Sequence, residues 1–94
     1  MSEDWVPARS VGVWTRKSGD NKIVLEGYID VYETNHVGGF IWSLCATGLT
    51  TGGIAQKVAE NYEVPPGRAE ATTRRFLDEL LERGFISRQE PGGS

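Results

Sequence analysis

The spacing of apolar residues changes period at Asn35. Before it, "YIDVYE" (28–33) sets Ile29, Val31 and Glu33 against Tyr28, Asp30 and Tyr32, the two-residue alternation of a strand. After it, Val37, Phe40, Ile41, Leu44 and Cys45 recur at helical spacing, and Asn35 is a residue type suited to cap that helix. No loop separates the two patterns. A strand therefore feeds straight into a helix, with two adjacent glycines, Gly38 and Gly39, in the helix's first turn.

The rest of the chain extends this pattern in both directions. Upstream, "VGVWTR" (11–16) alternates, "SGDN" (18–21) supplies turn chemistry, and "KIVLEG" (22–27) brings Ile23, Val24 and Leu25 together before Gly27. Three strands with connections this short form an antiparallel meander. Downstream, Gly48 ends the first helix, and Thr50 or Thr51 caps a second with Ile54, Val58 and Tyr62 on its stripe. Pro65 and Pro66 stop the second helix and start a third, because proline is tolerated in a first helical turn. The third runs through "PGRAEATTRRFLDELLERG", with Ala69, Thr73, Phe76, Leu77, Leu80 and Leu81 inward and Gly84 at its end. Phe85 and Ile86 are expected to tuck back onto the sheet. The fold class is α+β: a three-stranded antiparallel sheet followed by three helices, in a winged helix-turn-helix-like arrangement. One domain is expected over residues 11–88. Residues 1–10 read as a flexible N-terminal arm and residues 89–94 as a flexible C-terminal tail.

Composition excludes several classes of function. At 94 residues the chain supports one modest core. No apolar run approaches the roughly 18 residues of a membrane span, and the acidic start "MSEDWVPARS" is unlike a signal peptide. A lone cysteine fits a cytoplasmic location and rules out an internal disulfide. Net charge −3 argues against nucleic acid, and one His with one Cys makes no zinc cage. A winged-helix DNA-binding transcriptional regulator is the alternative function. However, the third helix sets Arg68, Arg74, Arg75 and Arg83 against Glu70, Asp78, Glu79 and Glu82, which leaves no field for phosphates.

Catalytic chemistry finds no constellation. His36 follows a cap, where an exposed imidazole is common. Cys45 falls on an apolar stripe, as a buried thiol does. Glu79 with Arg83, and Arg74 with Asp78, are i,i+4 ion pairs of a solvated face. "TGLTTGG" lacks the lysine and spacing of a phosphate loop. No catalytic residue, metal ligand or cofactor is assigned. The remaining candidate is the sheet edge. If the third strand is an edge, "YIDVYE" guards it with neither proline nor lysine. Either a guest strand pairs there, or a helix or terminal arm of the chain covers it.

The run "YIDVYETNHVGGFIWSL" followed by "GLTTGGIAQKVAENYEVPPGRAEATTRRFLDELLERGFI" resembles PqqD-like recognition elements. These are the peptide-binding domains of pathways that modify ribosomally made peptides (RiPP pathways), similar to the peptide chaperone of pyrroloquinoline quinone biosynthesis. The shared features are an aromatic strand ending in Asn35, a small residue at Gly38, the turn and threonine at Leu49 to Thr51, Ile54-Ala55, and Phe76-Leu77 with "LLERGFI". The resemblance spans about residues 11–88. It implies a non-catalytic module to which the leader of a precursor peptide adds as a strand, in a groove against the third helix. Freestanding members of this size resemble the recognition proteins of lasso-peptide pathways. There the partners are a cysteine-protease-type leader peptidase and then an ATP-dependent cyclase, and leaders often carry a tyrosine and a proline three residues apart.

Carried onto this chain, the resemblance assigns peptide binding to Ile29, Asp30, Val31, Tyr32 and Glu33 on the third strand. On the third helix it assigns Arg74, Arg75, Leu77, Asp78 and Leu81. Gly38 then reads as a place where backbones approach closely; the resemblance gives Gly39 no role. Two departures stand out. Thr34 occupies a position commonly leucine, and "TTGGIA" has Gly52 and Gly53 where acids usually follow the threonine. Each glycine weakens the helix start by about 1 kcal/mol relative to alanine.

Overall fold

The computed structural model describes residues 4–17, 22–27 and 30–89. Its elements are β1 (Val6–Arg9), β2 (Trp14–Lys17), β3 (Ile23–Glu26), β4 (Val31–Thr34), α1 (His36–Leu44), α2 (Thr51–Tyr62), α3 (Pro66–Glu82) and β5 (Ile86–Gln89). The expected meander is present as an antiparallel sheet in the order β2-β3-β4. Three helices follow it, so the architecture is α+β. The first strand is shorter than expected, because Val11 and Gly12 form a turn before it. The "SGDN" segment, Tyr28 and Ile29 lie outside the described residues.

Side-chain parity divides the sheet. Leu25 and Thr34 face the helices and are buried, with Ile23 and Tyr32 half-buried beside them. Trp14 and Val31 lie on the opposite face and are 62 % and 60 % exposed. The core gathers Leu25 with Ile41, Trp42, Ile54, Val58, Leu77, Leu80 and Phe85.

Asn35 caps α1 as expected, its Oδ1 accepting from the Gly38 N–H at 2.9 Å. The two glycines have a steric cause. A Cβ on Gly38 would lie 2.7 Å from Thr34 Oγ1 and 3.0 Å from Phe76 Cε1, and one on Gly39 would lie 2.5 Å from Ile23 Cδ1. The helix thus rests directly on β3 and β4. Trp42, outside the expected stripe, is buried on another side of α1. Its Nε1 donates to Thr15 Oγ1 at 2.8 Å, and the Arg9 guanidinium lies 4.4 Å from its ring centre. A helix this short is covered around most of its girth, so a single apolar stripe under-describes it.

Thr50 caps α2 through the Gly53 N–H. At the end of α3, the Gly84 N–H donates to the Leu81 carbonyl and the Phe85 N–H to the Leu80 carbonyl. Gly84 itself has φ +79, where a side chain would be strained. This double bond pattern turns the chain sharply and drives Phe85 and Ile86 into the core. Ile86 does not join the meander; it opens β5, which pairs with β1.

Residues 1–10, expected as a flexible arm, include that partner strand. Trp5 and Pro7 are buried, and Val6–Arg9 pairs antiparallel with Ile86–Gln89. Pro7 suits the position. The Ser10 N–H donates to the Phe85 carbonyl, so alternation turns Val6, Ala8 and Ser10 toward β5 and leaves the Pro7 nitrogen facing away. Gln89, expected in the tail, closes the same pairing.

The same segment accounts for Gly52 at the start of α2. Asp4 Oδ1 accepts from Thr51 Oγ1 at 2.8 Å and from the Gly52 N–H at 2.9 Å, while the Thr51 N–H donates to the Trp5 carbonyl. A carboxylate from elsewhere in the chain therefore sits at the positive end of α2. A Cβ on Gly52 would come within 3.0 Å of that carboxylate, so glycine makes room for it.

Two stability measurements follow. Gly38→Ala should destabilise by about 1–3 kcal/mol through overpacking. Gly67→Ala, where the added methyl meets nothing within 4 Å, should stabilise by about 0.5–1 kcal/mol. Urea titration of both variants reads the contrast. Asp4→Ala should cost about 0.5–1 kcal/mol at pH 7, the low side for a cap because Asp4 is exposed. The Thr51 and Gly52 hydrogen bonds hold the Asp4 carboxyl below its usual 3.8. Its contribution is therefore full above that value and lost as pH falls through the lowered one. Wild type and Asp4→Ala should converge in acid.

Candidate functional site

The backbone of β4 has one side occupied. The Gly27 N–H donates to the Asp30 carbonyl at 2.8 Å, which makes Gly27 and Asp30 a hydrogen-bonded pair of the β3–β4 ladder. Alternation then turns the N–H and C=O of Tyr32 and Thr34 toward β3, and those of Val31 and Glu33 outward. Among the described residues no strand pairs with that outer side, so β4 is an edge of the sheet.

A groove of about 320 Å³ runs between β4, the start of α1 and α3. Tyr32, Val37, Gly38, Ile41 and Phe76 give it an apolar floor, and Asn35, Thr72, Arg75 and Glu79 line its polar parts. Tyr32 fixes the spacing of strand and helix. Its ring lies 6.2 Å from that of Phe76 and 6.5 Å from that of Phe85, and its hydroxyl donates to Glu79 Oε1 at 2.7 Å. Burial, then the Glu79 hydrogen bond, pushes the Tyr32 phenol up to about 12, so it stays a donor at neutral pH. Arg83 closes this end. It pairs with Asp30 at 2.9 Å and Glu79 at 3.6 Å, and its guanidinium lies 4.4 Å from the Tyr32 ring centre. The Asp30 hydrogen bond raises the Arg83 pKa further, so the cation is fixed. The expected pair of Glu79 with Arg83 belongs to this cluster.

The candidates taken from the sequence divide accordingly. Val31 and Glu33 present the outward backbone, Tyr32 and Arg75 line the groove, and Asp30 anchors Arg83 at its end. Ile29 lies outside the described residues. Leu77 is fully buried, so it is core and lines no groove. At 3.6 residues per turn, Ala69, Thr73, Leu77 and Leu80 make the core face of α3. Thr72, Phe76 and Glu79 lie to one side of it, with Arg75 beyond them, and Arg74, Asp78 and Leu81 lie on the other side. Arg74 accordingly sits 3.9 Å from Glu70 and near Asp4, Asp78 is exposed, and Leu81 packs on the core. Thr72, Phe76, Glu79 and Arg83 are the helix residues the sequence reading did not assign to the site. Their recurrence at intervals of three and four beside the core stripe is the signal that marks them.

Elsewhere the chemistry is sparse. Cys45 is 2 % exposed, and burial pushes its thiol up to about 12, so it is no nucleophile at neutral pH. The His36 ring lies 5.6 Å from that of Tyr62. Among the described residues, no group of three His, Cys, Asp or Glu side chains could hold a metal ion. No described helix is long and apolar enough to cross a membrane.

Residues 23–86 match the family described as Coenzyme PQQ synthesis protein D (PqqD). The chain belongs to the PqqD family. The matched span runs from β3 to the start of β5 and so contains every residue that lines the groove, while β1 and β2 lie outside it. None of the curated proteins compared with this PqqD-family chain matches it. Its fold is similar to that of TbiB1, solved in complex with the TbiA(beta) leader peptide. The TM-score is 0.75 and the identity 24 %, over 85 % of this chain and 94 % of that one.

Tyr32→Phe tests the tie between strand and helix in this PqqD-family fold. Loss of the hydroxyl donor to Glu79 should cost about 1 kcal/mol by urea denaturation, with the aromatic packing kept. An unchanged midpoint would mean that the bond contributes nothing in solution.

Proposed function

We propose that this chain is a non-catalytic adaptor that binds the leader of a ribosomally made precursor peptide. The leader adds to β4 as a strand, lies in the groove against α3, and is presented to maturation enzymes. The observation that carries this reading is the groove beside the outward-facing N–H and C=O of Val31. An edge strand with an apolar groove alongside offers backbone bonds for affinity and pockets for alternate side chains of a guest. Membership of the PqqD family and a fold shared with a protein solved bound to a leader peptide support the same reading. The resemblance of the sequence to freestanding recognition proteins of lasso-peptide pathways favours such a pathway, with a cysteine-type leader protease and an ATP-dependent cyclase as the enzymes served. A cytoplasmic location fits such a role.

Within this reading the contacts come from Val31 and Glu33 through their backbones and from Tyr32 and Arg75 through their side chains. Phe76, Thr72 and Glu79 join them, and Asp30 acts through Arg83. Arg74 and Leu81, on the other side of α3, are engaged within the chain, and the exposed Asp78 beside them would face an enzyme that receives the peptide.

Proline substitution separates the two sides of β4. Val31→Pro removes an outward N–H and should weaken binding of a fluorescent leader peptide at least tenfold, with the circular dichroism of the fold retained. The peptide is the leader encoded by a short precursor reading frame, to be sought next to the gene for this chain. Tyr32→Pro removes an N–H aimed at β3 and should instead unfold the sheet. Unchanged affinity in folded Val31→Pro would sink strand addition, and a steeply salt-dependent affinity for duplex DNA would favour the regulator reading.

A further inference from the structure

Arg75 is the cation in the groove lining whose guanidinium has no direct partner among the described residues. It is exposed on the α3 wall and makes no ion pair or hydrogen bond with another described residue. Glu79, the acid in the lining, already accepts from Tyr32 at one oxygen and faces Arg83 at the other. The start of α1 opens on the same groove, and its dipole adds to the positive side of the balance. A chain of net charge −3 thus presents a local cation where the guest would lie.

We infer that the groove selects guest strands carrying an aspartate or glutamate, whose carboxylate pairs with the Arg75 guanidinium. This inference rests on the strand-addition reading. The strand geometry also places the acid. Asp30 meets Arg83 near the end of α3, and Tyr32 meets Glu79 and Phe76 further up, so β4 runs toward Arg75 as it approaches Thr34. Guest residues opposite Tyr32 and Thr34 share their face of the sheet, toward the helices. One of them fills the apolar floor beside Tyr32. The acid belongs two residues from it, opposite Thr34, within reach of Arg75. An arginine paired with a carboxylate at a groove wall sets which guests are accepted more than how tightly any guest is held.

The test uses the full chain and a displayed library of short random peptides. Selected clones are kept only when Val31→Pro, confirmed as folded by circular dichroism, abolishes their binding. The inference expects the kept clones to share an acid two residues from an apolar anchor. Arg75→Glu should weaken them roughly tenfold or more and, used for selection itself, should exchange the acid for lysine or arginine. Arg75→Gln should lose the charge preference and keep the apolar one. Clones that depend on Val31 but show no acid preference, or that bind Arg75→Glu as tightly, overturn this inference and leave strand addition standing. If no clone depends on Val31, strand addition fails and this inference fails with it.

Discussion

The seating of α1 on the sheet is the contact from which the groove takes its shape. At Gly38 and Gly39 there is no room for a methyl group, because Thr34, Phe76 and Ile23 already occupy the space. The helix backbone therefore meets β3 and β4 directly, and its first turn becomes one wall of the groove beside the outer edge of β4. Phe76 reaches the same contact from α3, which draws the third helix to the strand. A larger residue at either glycine would lift α1 and widen the groove, so the helix propensity given up there serves geometry.

Tyr32, Glu79, Arg83 and Asp30 complete the frame from the other end. Each group in the cluster satisfies another: a phenol donates to a carboxylate, a guanidinium bridges two carboxylates, and the same guanidinium stacks on the phenol ring. Two carboxylates against one guanidinium leave this cluster one negative charge in surplus, but both Glu79 oxygens are already engaged, one by Tyr32 and one by Arg83. That arrangement gives Arg75 its distinct standing, since specificity falls to the guanidinium that the fold leaves without a direct partner.

The N-terminal segment shows how a local reading of the chain misleads. Pro7 and a thin scatter of apolar residues look like an unstructured arm, yet Trp5 and Pro7 are buried and Asp4 supplies the carboxylate missing at the start of α2. No periodicity in a stretch this short reveals a partner that lies some eighty residues away at Ile86–Gln89. Proline reads as a breaker only where the backbone needs an N–H, and here the Pro7 nitrogen faces away from β5.

The sequence by itself determined the change of period at Asn35, the meander, the three helices with their caps, and the resemblance that led to β4 and α3 as the binding elements. Those features are local: they depend on residue type and on spacing within one element. Tertiary structure alone decided which parity of β4 faces outward, because register against β3 sets it. Tertiary structure also decided which side of α3 lines the groove. Arg74, Arg75, Leu77, Asp78 and Leu81 are one group in the sequence, yet the placement of α3 beside Tyr32 and Gly38 sends Leu77 to the core and leaves Arg75 alone of the five facing the groove. A helix shows its faces in its sequence, and only its neighbours determine what each face meets.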